Sequence, residues 1–406
     1  MTALLGTLLD GDLMDVAVKG PRGPLGQTSL VGLSFQQLSA HSILIGGTGT
    51  GKTKTALRLA EQLMGEPLNP SEPPIRILFV DAKGLARGDR DSFVALARHH
   101  GYERIATWPE EALAGFDGSV HELRERLSGL WDSTESGYHF AEAVTMLDLA
   151  LAAGETPRSL AAMIERTRPG VTAALYEAQA TMEGLVKKSE ASSFSSSQWN
   201  SVYLRLRALA ATVGDRLDST TASWTLEQVD AAWISIPGTS APQTAGDIAS
   251  WLLALIGELA AHGDRRPTFV VLDEFSAVGG DQRASRTAAG LVERTRSAGV
   301  ALLIGAQTIA SLGEHADRLL QTAGTIICHR TPVPDGIVEL AGTLPVWEDT
   351  QDVDALGTRT ASSGRRQQQY RVAPDLVRSL PIGEAIVIRA GRWAHVAVAL
   401  PTISEV

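Results

Sequence analysis

The chain has 406 residues and a formal net charge of −10; 44% of its residues are hydrophobic and 20% are charged. These proportions exclude a mainly disordered chain and allow a core spread over two or three domains. A single cysteine, Cys328, excludes a disulfide framework and a cysteine-rich zinc site and suits a reducing compartment. The negative balance argues against a surface coated for nucleic acid but leaves room for a local basic channel. No stretch approaches the ~20 uninterrupted apolar residues of a membrane span, since 251–261 is short and carries Glu258. Asp10 and Asp12, with no basic segment before them, do not make a signal peptide.

Residues 1–40 read as short β pieces punctuated by Gly and Pro, including a strand at 15–19 and a turn at 20–24. A short apolar strand at 42–45 leads through a Gly-rich turn into an amphipathic helix at 52–64. A Pro-rich loop at 67–74 precedes an apolar strand at 75–80 that ends in Asp81, and a helix at 93–100 returns toward 102–105. Such βαβ units call for a parallel sheet covered by helices. From 119 to 230 Ala, Leu, Glu and Arg recur at helical spacing, with a Ser-rich linker at 192–197. An all-helical insertion that buries its own apolar faces is expected there, and its 10 basic against 15 acidic residues leave it at −5. Strands are expected again at 232–236, 268–272, 300–304, 324–328, 384–389 and 393–400, with helices at 244–261 and 284–298. The expected fold class is α/β with a mostly parallel sheet and an inserted all-helical domain. Its parts are a β-rich segment at 1–40, a first core part at 41–118, the insertion at 119–230 and a second core part at 231–406.

Gly46, Gly47, Thr48, Gly49, Thr50, Gly51, Lys52 and Thr53 match the pattern G-x-x-x-x-G-K-[ST] in full, between an apolar strand and a helix. The glycines let backbone N–H groups curl around a phosphate without Cβ clashes, and the positive end of the helix points at the same place. Lys52 suits the β- and γ-phosphates of ATP, and the Thr53 hydroxyl suits a Mg²⁺ ion. In 269–275 four apolar residues end at Asp273 and Glu274, on the sheet edge where open α/β folds bind ligands. Asp273 is the candidate to hold Mg²⁺, and Glu274 the base that orients and deprotonates the attacking water.

Gln307 closes the following strand; it bonds water or a γ-phosphate, or it caps the next helix. Asp81 and Lys83 sit at another strand end, near the nucleotide or an adjacent subunit, or they merely terminate the strand. Residues 359–371 hold Arg359, Arg365, Arg366 and Arg371 and no acid. A mobile solvated loop between strands is expected there, with a loop touching phosphate backbone as the alternative. Cys328 reads as a core residue, and the nine histidines show no metal-ligand spacing.

The motifs from His41 to Thr53, Val80 to Gly84, Ser235 to Pro237 and Leu272 to Phe275 come in a fixed order. They continue with Arg296 to Val300, Gly305 to Thr308, and a tail from Val372 to Glu384. Over roughly 35–395 this set resembles the HerA/FtsK superfamily of ring-forming, RecA-like P-loop motors. Within it, the sequence is most similar to the soluble part of the type IV secretion coupling ATPases of bacterial conjugation (TraG/TraD/TrwB type). The helical stretch sits where that family carries its all-α domain.

The resemblance implies a Mg-dependent ATPase and DNA translocase. It implies a homo-hexameric ring with ATP between subunits and single- or double-stranded DNA in or near the pore. Relaxosome or other cargo proteins would meet the helical domain, and a secretion-channel or membrane-anchor protein would hold the ring at the cytoplasmic face of the membrane. It also implies that Arg296 reaches a neighbouring subunit's γ-phosphate, adding positive charge where the transition state spreads negative charge. The plainer reading is an arginine that complements a helix C-terminus before Gly299; Arg330 is a second candidate for the same role. The family's N-terminal transmembrane anchor has no counterpart here, as expected if the anchor is a separate chain, if this is a soluble relative, or if only the soluble part is present. Two rival readings stay open: a protein-export ATPase resembling the type VII secretion motors, and a nucleotide-gated adaptor with little turnover. Glu274 and Gln307 count against the adaptor.

Overall fold

The computed structural model describes residues 2–12, 17–23, 26–65, 68, 72–84, 87–131, 137–262, 266–353 and 359–403. Its strands, in chain order, are β1 (Thr2–Gly11), β2 (Ala17–Gly23), β3 (Gly26–Ser34), β4 (Ser42–Ile45), β5 (Arg76–Asp81), β6 (Ile105–Trp108) and β7 (Ala231–Ser235). They continue with β8 (Thr268–Asp273), β9 (Val300–Ala306), β10 (Thr325–Cys328), β11 (Thr343–Val353), β12 (Arg359–Tyr370), β13 (Glu384–Arg389) and β14 (Arg392–Val398).

Twelve of these form one sheet in the order β2-β3-β1-β14-β13-β10-β4-β9-β8-β5-β7-β6. The run from β10 to β6 is parallel throughout. From β13 outward every pairing is antiparallel. The parallel strands alternate between two buried faces. Ile43, Ile45, Leu78, Val80, Val270 and Leu272 enter one apolar cluster, while Leu44, Ile77, Phe79, Phe269 and Val271 enter the other. Burial on both sides is why these strands read as continuous apolar runs.

Helices Lys52–Leu63 and Arg87–His99 cover one face, where Phe79 stacks on Trp233 with ring centroids 4.3 Å apart. Helices Pro242–Ala261 and Gln282–Thr295 cover the other. Pro242 opens its helix, a position where the missing N–H costs nothing, so the helix starts two residues before the expected 244. The 20-residue helix Pro242–Ala261 is long and apolar enough to cross a membrane by length and composition alone. In the fold it is a core helix with 12 of its 20 residues buried.

Residues 119–230 form helices Val120–Ser128, Gly137–Ala152, Leu160–Arg166, Val171–Ala178, Met182–Ser193 and Ser196–Val213, with no strand among the described residues. Ser119 with Glu122, and Ser195 with Gln198, make reciprocal capping boxes. The Ser-rich stretch is thereby reduced to a break at Phe194 and Ser195 between two helices. The apolar contacts do not close within these helices. The cluster holding Leu147, Trp199 and Leu206 runs unbroken into Ile248, Trp251 and the sheet. Polar ties cross the same boundary: Arg126 pairs with Glu258, and buried Asp247 takes both Arg205, at 2.8 Å, and Arg283.

The expectation that 119–230 buries its own apolar faces is thus overturned, and two more are corrected. The basic run beginning at Arg359 is not a loop: β12 pairs with β11 in a separate antiparallel ribbon. Trp347, Arg366 and Gln368 are exposed on it, so the apolar alternation that marks a half-buried strand is missing from the sequence. At the N-terminus, 20–23 continue a strand rather than turn, with a register shift between Lys19 and Arg22. Pro24, the beginning of the strand expected at 15–19, and residues 67 and 69–71 of the Pro-rich loop lie outside the described residues.

Candidate nucleotide site at the phosphate-binding loop

β4 delivers the chain to the sheet edge, where it turns back into helix Lys52–Leu63. Gly51 adopts φ 111° at that turn, a conformation closed to residues with a Cβ. Gly46 faces a different limit, since a Cβ there would lie 2.7 Å from the Cβ of His329. Lys52 is buried, and its Nζ donates to the carbonyls of Gly46 at 2.7 Å and Gly47 at 3.1 Å. Burial pushes its pKa below the usual lysine range, opposed by the negative charges of Glu274 and Asp273 and reinforced by Lys83. The Thr50 hydroxyl closes the loop on the Gly47 carbonyl at 2.8 Å.

Asp273 ends β8, and its Oδ2 accepts from the Thr53 hydroxyl at 2.6 Å. Its other oxygen accepts from the Glu274 backbone N–H at 2.9 Å. Burial raises the carboxyl to about 6, against the pull of these two hydrogen bonds. Glu274 sits in the left-handed region at φ 52° and ψ 40°, at a cost of about 1 kcal/mol for a non-glycine residue. Gln307, at the end of β9, donates its side-chain amide to Glu274 Oε1. β9 lies between β4 and β8, so Gln307 emerges between the phosphate-binding loop and the acidic pair. In the structure the side chain bonds Glu274.

Lys52, Thr53, Asp273, Glu274 and Gln307 thus come together. Asp81 and Lys83 join their edge: the Lys83 N–H donates to Asp81 Oδ1 at 3.0 Å, and its carbonyl accepts from the Thr239 hydroxyl at 3.1 Å. This clasp ties the end of β5 to the segment after β7, and it brings the Lys83 charge close enough to act on Lys52. Arg330 is exposed beside the loop, its carbonyl accepting from Gly47 N–H at 2.9 Å. Arg296 is set apart. It lies in a single 3₁₀ turn before β9, at the opposite end of that strand from Gln307 and near His41. Seven strand residues at ~3.3 Å each separate the two ends by roughly 23 Å.

Sequence reasoning missed His329. It is fully buried under the loop, bonded to Thr55 and to the Glu384 carbonyl. The signal was its place one residue after an apolar strand, but only the strand order, with β10 next to β4, makes that place informative. For a Mg²⁺ ion the donor chemistry fits. Such ions take one or two protein oxygens and complete their shell with water and phosphate. Thr53 Oγ1 and Asp273 Oδ2 are two such oxygens, already adjacent.

No family model matches the sequence, and no curated protein matches it significantly. Solved structures match in fold. The bacterial conjugative coupling protein TrwBdeltaN70, in an unbound monoclinic form, is 16% identical with a TM-score of 0.63, over 92% of this chain and 88% of that one. The plasmid coupling protein TrwB in complex with the non-hydrolysable GTP analogue GDPNP is 15% identical with a TM-score of 0.63, over 98% and 96%. VirB4 of Thermoanaerobacter pseudethanolicus is 14% identical with a TM-score of 0.62, over 99% and 97%. The chain has the P-loop α/β fold of these proteins. At such identities the likeness is one of architecture, and the chemistry rests on the side chains described above.

Proposed function

We propose that this chain is an ATP-hydrolysing motor of the type IV secretion coupling kind. The observation that carries the reading is the meeting of Thr53 and Asp273 at 2.6 Å, with Glu274 held beside them by Gln307. A phosphate-binding loop alone would suit a passive binder; a metal-ligand pair and an oriented base next to it suit hydrolysis.

Lys52 exchanges the Gly46 and Gly47 carbonyls for β- and γ-phosphate oxygens, and the loop's N–H groups close around them. Thr53 and Asp273 hold the metal. Glu274 receives the proton of the attacking water, and Gln307 holds its carboxylate through Oε1 until a γ-phosphate competes for the amide. ATP supplies the scissile phosphoanhydride, and Mg²⁺ offsets phosphate charge. Six copies arranged as a ring would let Arg296, remote from its own loop, serve the neighbour's nucleotide. Single- or double-stranded DNA is the cargo of this reading. The helices of 119–230 are the contact for relaxosome or other cargo proteins, and a secretion-channel or anchor protein holds the ring at the cytoplasmic face of the membrane. The domain division of the sequence reading, 1–40, 41–118, 119–230 and 231–406, is retained within it.

Phosphate release measured with and without Mg²⁺, and with and without single- and double-stranded DNA, tests this. Turnover that requires Mg²⁺ and rises with DNA supports the motor. Turnover indifferent to both DNA forms moves the cargo to protein, and no turnover at saturating ATP leaves a gated adaptor.

A further inference from the structure

Beneath the phosphate-binding loop lies a histidine that none of the roles above uses. His329 follows β10 and is completely buried. Its Nδ1 lies 2.8 Å from the backbone carbonyl oxygen of Glu384, and its Nε2 lies 2.8 Å from the Thr55 hydroxyl. A carbonyl only accepts, so the ring proton must be on Nδ1. Nε2 is then the acceptor, and Thr55 donates to it.

The ring therefore fastens three segments at one point: the first turn of helix Lys52–Leu63, the end of β10 and the start of β13. Neighbouring contacts repeat the fastening. Gly46 leaves no room for a side chain against His329 Cβ, and the ring's Cε1 lies 3.6 Å from where a Gly51 Cβ would be. Gly383 N–H donates to the Thr50 carbonyl at 3.2 Å, and Gly47 N–H to the Arg330 carbonyl at 2.9 Å. The loop and the helix it opens are thus tied to the β10–β13 junction by two backbone bonds and by the His329 ring, which bonds the Thr55 hydroxyl and the Glu384 carbonyl.

We propose that His329 is a positioning residue: as the neutral Nδ1–H tautomer it anchors Thr55, and through that turn it fixes where Lys52 and Thr53 stand for the phosphates. The inference rests on reading the loop as an ATP site. Burial and the nearby Lys52 charge keep the ring neutral, down to about 4, which agrees with an acceptor nitrogen that must stay unprotonated. Thr55 lies three residues into the helix, so a shift of its turn moves Lys52 and Thr53 together.

The test is a double-mutant cycle on the full chain, read as ATP dissociation constants by calorimetry in EDTA and in Mg²⁺. Thr55→Val removes the hydroxyl at constant volume and is expected to weaken ATP binding about tenfold, the scale of one buried acceptor left unpaired. Thr55→Ser should restore the affinity. His329→Asn should weaken binding by at least as much. The double variant should be no worse than His329→Asn alone, because each change breaks the same bond. KM should rise with kcat changed by less than about threefold, whereas general loosening would lower the melting temperature without a selective loss of affinity. Histidine side-chain NMR should find the His329 proton on Nδ1. Additive losses, unchanged affinity in Thr55→Val, or a proton on Nε2 would each overturn the proposal. A parent chain that binds no ATP would instead overturn the functional reading beneath it.

Discussion

The Thr53 hydroxyl donates to the Asp273 carboxylate at 2.6 Å, joining two residues 220 positions apart in sequence, one in the helix after β4 and the other at the end of β8, with β9 between those strands. In the proposed reading each would prepare the other for a metal: the hydroxyl holds one carboxylate oxygen in place, and the buried carboxylate would gain from a bound cation.

Asp273→Asn should therefore abolish the gain in ATP affinity on adding Mg²⁺ while sparing most of the affinity measured in EDTA. Thr53→Ala should lose part of the same gain. Calorimetric titrations with and without the metal check both. Equal Mg²⁺ dependence in Asp273→Asn and the parent would place the metal elsewhere.

Glu274→Gln should bind ATP as the parent does and hydrolyse it at least ~100-fold more slowly, the scale of a lost general base. Gln307→Ala removes the amide that orients Glu274, so it should slow turnover less, by about tenfold, and leave ATP binding intact. Single-turnover phosphate release separates chemistry from product release in both variants. Near-normal chemistry in Glu274→Gln would assign the base to another group.

Arg296 stands at the far end of β9 from Gln307, so in the proposed ring its effect on turnover is expected through a neighbouring copy. Arg296→Ala chains and Lys52→Ala chains should each be inactive alone. Mixed, they should regain activity where an intact loop meets an intact arginine. Steady-state phosphate release across mixing ratios, on subunits shown to exchange, is the measurement. No gain above the sum of the two parents would remove Arg296 from catalysis.

Acid should destabilise the fold through two histidines. Burial holds His41 and His329 at about 4, below the ordinary 6.5. The unfolded chain gains these protons as pH falls through 6.5, while the native state refuses them until about 4. Their contribution is therefore complete above 6.5 and drains away between 6.5 and 4. Each histidine adds about 1.4 kcal/mol per pH unit of slope in that window. Asp273, raised to about 6, acts with the opposite sign, so the three together leave a slope of about one proton between 6 and 4. His329→Asn should flatten the slope by one proton whatever it does to overall stability. Urea midpoints at pH 7, 6 and 5 decide this, and an unchanged slope would mean the native ring already titrates near 6.

What the sequence disclosed was local. The eight residues of the loop and the acidic strand end are legible because strand, turn and helix follow one another without a break, and both faces of β4 and β8 are apolar. The helices of 119–230 were legible from spacing alone. Features set by distant pairing were not. The ribbon of β11 and β12 shows solvent several of its polar side chains and leaves no alternation to read. His329 acquires meaning only from strand order. The shared core of the helices and the sheet was equally hidden, since Trp251 and Trp199 look alike in a list of apolar residues and differ only in what they touch.

β9 has a parallel neighbour on each side, paired to β4 through Leu303–Ala306 and to β8 through Val300–Ile304. Sliding it by one residue would unmake two ladders at once and turn Gln307 to the opposite face of the sheet. The chain can thus accept added length in the connections at either end of this strand, but not within it. Evolution has room to vary how β9 is reached and left, while the height at which its glutamine stands over the loop is held by its neighbours.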